Sequence, residues 1–195
     1  FLSLPISDLT IATSEFIPIE GTDDLYQFDQ GQDEYVWLNY FGADFSETEF
    51  EVGKGYLVAY SATDSKTFAG SSIRTTDLTV GLDYTPDKPS SGWNLVGNPF
   101  TSAIDWDLVE KTASVNGAVY ILSSLDGGFE SWNGSVGDLT DGIIPANQGF
   151  FVHTSAAAQS ITMAAGSNGD QLHNTSTYYK NQTELAENTL KISVN

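Results

Sequence analysis

No cysteine occurs among the 195 residues, which removes disulfides and thiolate metal sites from the ways this fold is held together. The absence does not fix a compartment, since a secreted domain of this size can rest on its core alone. Cationic side chains are almost as scarce: seven Lys and Arg stand against 26 Asp and Glu, a formal net charge of -19. Such a chain repels phosphate backbones and anionic lipid surfaces, because it has few cations with which to displace their counterions. Nucleic acid is therefore excluded as an expected partner, and sulfated or uronic polysaccharides are disfavoured unless metal ions bridge the like charges. The same acidic surface keeps a protein soluble in salt, where charges are screened over about 8 Å or less. No apolar run of about 18 residues exists, so no helical membrane insertion is expected. No leader precedes Phe1, which opens directly on apolar residues; the expectation is an internal fragment whose leader lies outside it.

What the chain does have is aromatic and apolar mass, 12% and 40% of its residues. Large flat side chains suit pleated surfaces, and the length suffices for one large module or two small ones with real cores. It also carries an internal repeat. At an offset of 94 residues Leu2, Pro5, Tyr26, Gly55, Val58, Ser61 and Ala62 fall without a gap on Val96, Pro99, Tyr120, Gly149, Val152, Ser155 and Ala156. Phe50, Val52, Tyr56 and Leu57 add apolar matches at Ile144, Ala146, Phe150 and Phe151. Anchors made of turn formers and strand residues point to a duplicated supersecondary unit. The expected fold is all-β: two tandem related, sandwich-like β units of about 94 residues each, with at most one short helix per unit.

The expected boundaries are residues 1–80 for the first unit, 81–92 for a connector, 93–170 for the second unit and 171–195 for a tail loop and terminal strand. Phe1 to Leu4 and Trp93 to Val96 open the units, each run stopped by a proline that cannot donate to a ladder. Ser102 as N-cap, with Ile104 and Leu108 on one face, predicts a short helix from about Ala103 to Lys111. Hairpins are expected between Leu25–Phe28 and Glu34–Trp37, and between Val119–Leu122 and Phe129–Trp132, across glycine-bearing turns. The Gly55 and Gly149 strands follow, then Thr67-Phe68 and Ser160–Met163. Alternation of Leu78, Val80, Leu82 and Tyr84 predicts a further strand, and Leu190, Ile192 and Val194 another at the C-terminus, which would close a sheet or lead to a next domain.

Chemistry has few footholds. His153 and His173 have no partner cysteine and no Gly-x-Ser-x-Gly elbow, and His153 reads as a strand residue. Carboxylate pairs of the kind used in glycoside hydrolysis, Asp105 with Asp107 or Asp138 with Asp141, arise readily in a chain with 26 acids and have no counterpart in the first half. No catalytic residue is assigned, and the chain is expected not to be an enzyme. Asp29, Asp33 and Glu34 on one turn, with Asp23 and Asp24 nearby, present oxygens suited to calcium without forming an EF-hand loop; an acidic turn left in water is the alternative. Trp93 and Trp106 read as core. Trp37 and Trp132 lie at hairpin positions beside Tyr40 and Asn133, and are the candidate platform for a sugar. Asn133, Asn174 and Asn181 head Asn-x-Ser/Thr triplets, which matter only in a host that glycosylates them.

The segment Gly92-Trp-Asn-Leu-Val-Gly-Asn-Pro-Phe100, followed by Ile104-Asp-Trp106 and Ile144-Pro-Ala-Asn-Gln-Gly-Phe-Phe-Val152, resembles a β-rich domain of large secreted and cell-surface proteins of the Bacteroidetes. The resemblance spans most of the chain and extends to Tyr178-Tyr-Lys180 and Leu190-Lys-Ile192, with Phe100 in place of the usual tyrosine. It implies export by type IX secretion, display at the cell surface, and neighbours that are adhesin repeats or polysaccharide-degrading domains; it brings no catalytic residues. The expected role is a non-catalytic extracellular module for adhesion, spacing or assembly, contacting neighbouring domains or copies of the same protein. The alternative is a carbohydrate-binding module that takes a neutral polysaccharide on behalf of an attached enzyme.

Overall fold

A computed structural model describes residues 1–62, 65–70, 73–123, 127–165 and 171–172. The fold is all-β, as composition and alternation predict. The strands are β1 Asp24–Phe28, β2 Trp37–Asn39, β3 Leu57–Ala59, β4 Leu78–Leu82, β5 Trp93–Gly97, β6 Ala103–Asp105 and β7 Glu110–Lys111. They continue with β8 Val119–Leu122, β9 Phe129–Trp132, β10 Ile143–Ile144, β11 Gly149–His153, β12 Gln159–Met163 and β13 Gln171–Leu172. Antiparallel pairing arranges them as β2-β1-β3, β10-β6-β13, β5-β11-β8-β9 and β4-β12-β7. Among the described residues no helix is long and apolar enough to cross a membrane. His173 and the expected strand from Leu190 to Val194 lie outside the described residues.

Two cores result. Leu4, Ile6, Ile11, Phe16, Leu25, Phe50, Tyr56 and Phe68 form one beneath β1. Val96, Phe100, Ile104, Trp106, Val119, Ile121, Phe150, Val152 and Ile161 form the other. Period-2 alternation decides membership: on β11, Phe150 and Val152 are fully buried in the second core, while Phe151 faces the other way.

The predicted helix from Ala103 to Lys111 is not there. Ala103–Asp105 is a strand paired with Ile143 and Ile144, Trp106–Leu108 is a single 3-10 turn, and Glu110–Lys111 is a strand beside β12. The cap is Asp105 rather than Ser102: its carboxylate accepts the Asp107 amide at 2.9 Å. Trp106 sits fully buried with its indole N–H donating to the Gly117 carbonyl at 2.6 Å, so tertiary contact overrides helical spacing. Lys111 lies 4.1 Å from the indole centroid and donates to the Trp106 and Val109 carbonyls, which fastens the turn from its far side.

The second hairpin forms with the predicted strands, Leu122 opposite Phe129. The first is shifted: β1 pairs with Trp37–Asn39, Phe28 opposite Trp37, rather than with Glu34–Trp37. The reason lies in the loop. Asp29 closes it by donating its amide to Val36, Gly31 and Gln32 turn back to the Asp29 carboxylate, and the Gln30 side chain leaves to bond Thr85 and Gly92, so the loop before β2 is longer than a tight hairpin turn. Phe68 is buried and stacked on Phe16, but Thr67 and Phe68 form no strand.

Several pairings recur at the 94-residue offset. Leu2 bridges Tyr56 as Val96 pairs with Phe150, and Tyr26 pairs with Leu57 as Tyr120 pairs with Phe151. The opening segments also cross between the halves. Leu2 bridges Gln148 while Val96 bridges Lys54; Ser3 donates to the Asn147 carbonyl at 2.8 Å while Gly97 donates to that of Gly53 at 2.9 Å. Gly53 and Asn147, offset partners, both have positive φ, at 86° and 58°. The crossing needs glycine. A Cβ on Gly55 would stand 2.8 Å from the Val96 carbonyl oxygen, and one on Gly149 would stand 2.8 Å from Phe1 Cβ. The match is incomplete: Tyr26 opposes Asn39 whereas Tyr120 opposes Ser131, and β4, which runs across residue 80, pairs with β12 of the second half.

Candidate functional site

The motif residues that carry the resemblance are occupied with holding backbone. Asn98, fully buried, donates to the carbonyls of Ser102, Ile144 and Pro145 and accepts the Phe100 amide, tying the end of β5 to the approach to β11. Asn94 accepts the Asp83 amide and donates to the carbonyls of Asp83 and Gly92. Gln148 donates to Gly149 and Phe1. A buried polar side chain spent on backbone groups stabilises a loop but offers nothing to a substrate.

Asp105 caps the 3-10 turn, and Asp107 accepts the Trp132 indole N–H at 2.9 Å. Asp138 and Asp141 are exposed, Asp141 with φ of 51°. Among the described residues no three His, Asp or Glu side chains gather as a metal would require. The five acids expected around calcium are dispersed over separate tasks. Asp23 accepts the amides of Ser61 at 2.8 Å and Ile19 at 3.2 Å, Asp24 accepts from Asn39, and Asp29 from Gly31 and Gln32. Asp33 pairs with Lys88 at 2.7 Å, and Glu34 is exposed. Bonds from Ser61, then Ile19 and the charge of Lys66, hold the Asp23 carboxyl below the usual range against the opposing cost of burial.

The four candidate sugar contacts do not converge. Trp132 stands on the core side of β9, packed against the second core and Gly142. Asn133 accepts the amides of Ser135 and Val136 in its own turn, and Tyr40 packs edge-on to Phe41 and Phe45 beside the first core. Trp37 reaches the aromatic group around Phe151. Its ring lies 5.8 Å from Phe1, 5.2 Å from Phe28 and 6.0 Å from Phe151.

That assembly is the feature sequence reasoning missed. Phe151, on the face of β11 turned away from the second core, has Phe28 at 4.9 Å, Phe1 at 5.4 Å, Phe129 at 6.0 Å and Trp93 at 6.2 Å, nearly all edge-on. Trp93 continues it to Tyr120 and His153, so His153 is a strand residue against an indole, as read from the sequence. The rings come from both halves and form a shelf that stays partly open: Phe1, Phe28, Trp37, Trp93 and Tyr120 are half-buried and Phe129 is 52% exposed. The signal available in the sequence was alternation, which puts Tyr120, Leu122 and Phe151 on one face; that the Phe28 and Trp37 hairpin covers the same face was not in it.

Beside the shelf lies a cleft of about 220 Å³, lined by Phe28 and Trp93 together with Glu51, Lys54, Thr79 and Asp83. Lys54 is ion-paired with Glu47, whose other oxygen accepts the Tyr56 hydroxyl at 2.5 Å. Burial first, then the Glu47 charge, pushes the Tyr56 phenol far above its ordinary range, so it stays a neutral donor. Set beside known proteins, the chain matches no family model, no curated sequence and no solved structure.

Proposed function

We propose that this chain is a non-catalytic extracellular module, built from two related units, that serves adhesion, spacing or assembly within a secreted bacterial multidomain protein. The observation that carries the reading is the use made of the motif itself. Asn94, Asn98, Gln148 and Trp106, its most chemically capable side chains, are all engaged with backbone. A surface of net charge -19 favours solubility and a displayed position over contact with anionic polymers. The resemblance of the Gly92–Phe100 and Ile144–Val152 segments to surface proteins of the Bacteroidetes supports the same location. The test is removal of residues 1–195 from the secreted parent: retention at the cell surface should fall while any activity of the remaining domains is unchanged. Unchanged retention would contradict the proposal.

The aromatic shelf favours a second reading, a module that takes a neutral polysaccharide. Half-open rings offer flat apolar faces to the C–H side of a sugar. On a glycan array, retention that disappears in Trp37→Ala and in Phe129→Ala would establish this reading over the first. Retention unaltered in both variants, or no retention at all, would reject it.

A further inference from the structure

The geometry points to the cleft beside β4 and β5 as a binding site for a single neutral sugar residue, an inference that rests on the polysaccharide reading and gives it a second, more selective contact. The cleft is lined by Phe28, Glu51 and Lys54 together with Thr79 on β4, Asp83 just after it and Trp93 on β5. Small-molecule sites concentrate in clefts, and about 220 Å³ is room for one ring rather than for a long ligand.

Its chemistry narrows the class. Glu51 and Asp83 are two acidic residues on the lining, both exposed, and among the described residues no hydrogen bond or ion pair engages either carboxylate. Among the described lining residues the cation is Lys54, which Glu47 already neutralises. An anionic ligand would meet two uncompensated negative charges here and -19 overall. A metal ion would need a third side-chain ligand, and no such trio exists among the described residues. A purely apolar ligand would shield two exposed acidic residues from water and offer them no partner. A neutral polyhydroxyl ring meets all three conditions, with its C–H face against Phe28 or Trp93 and its hydroxyls donating to Glu51 and Asp83 in charge-assisted bonds. The walls are fixed before binding. Gln30 is held by Thr85 and Gly92, and Asn94 by Asp83 and Gly92, which lowers the ordering cost of association.

The experiment is an amide and indole NMR titration of the whole chain with glucose, galactose, mannose, xylose and N-acetylglucosamine, each to about 50 mM, enough to reveal a millimolar Kd. The expected result is saturable shifts at Gly53, Gly81 and the Trp93 indole with at least one of the five. Affinity should fall about tenfold in Glu51→Gln and in Asp83→Asn, as expected for loss of a charge-assisted bond. Because both positions are exposed, the variants should keep the parent spectrum elsewhere. Shifts confined to Trp37 and Phe129, or affinity unaltered in both variants, would overturn the cleft and leave the shelf reading standing. No shift with any sugar while the array shows glycan retention would do the same. Silence in both assays would reject the cleft and the polysaccharide reading together.

Discussion

At Asp23 a single carboxylate closes two turns, accepting the Ser61 amide from 38 residues away and the Ile19 amide from its own loop. Those bonds favour the ionised form and hold the folded-state value below the ordinary carboxylate value of about 3.9. A depressed value means the contribution to stability is complete above the unfolded value and is lost as pH falls through the folded one. Asp23→Asn should therefore lower Tm most at neutral pH, and the gap between parent and variant should narrow as pH drops below about 4. A gap that stays constant from pH 7 to pH 2 would show that the charge plays no part. The role could not be read beforehand, because 26 acids look alike in sequence and the Ser61 amide that singles out Asp23 lies 38 residues away. The same limit explains the sugar candidates. Trp37 and Trp132 both follow a hairpin turn, yet Trp37 joins Phe28 and Phe151 on the shelf while Trp132 faces the second core.

Strands were more legible than turns and helices, because alternation is a property of the local chain. Leu78, Val80 and Leu82 on β4, and the whole second hairpin, follow directly from the period-2 pattern. The Ala103–Lys111 segment misled because Ile104 and Leu108 share helical spacing, while the decisive partners, Ile144 and Gly117, lie outside the segment. Glycine positions belong to the same scale, since what they permit is the approach of another strand. A Cβ on Gly97 would stand 2.0 Å from Ser3 Oγ and 2.6 Å from the Lys54 carbonyl oxygen, whereas one on Gly81 meets nothing within 4 Å. Gly97→Ala should cost about 2–3 kcal/mol by overpacking at the crossing of the halves. Gly81→Ala, in open space, should change stability by less than about 0.5 kcal/mol. Urea unfolding of both variants checks this, and equal effects would mean that the crossing is loose enough to yield.

Across the whole molecule the 94-residue offset was visible in the sequence, but its consequence for how the halves meet was not. Two β units in tandem would ordinarily be joined by a connector. Here Leu2 bridges both Tyr56 and Gln148, and Val96 pairs with Phe150 while bridging Lys54, so each opening segment belongs to both halves. Phe151 gathers rings from both, and β4 pairs across to β12. Breaking either half exposes the crossing strands and the aromatic shelf of the other, which predicts a single cooperative unfolding event. Differential scanning calorimetry measures this most directly. The account predicts one transition with calorimetric and van't Hoff enthalpies equal, shifted as a whole to lower temperature by Gly97→Ala. Two resolved transitions, only one of them moved by that substitution, would contradict it.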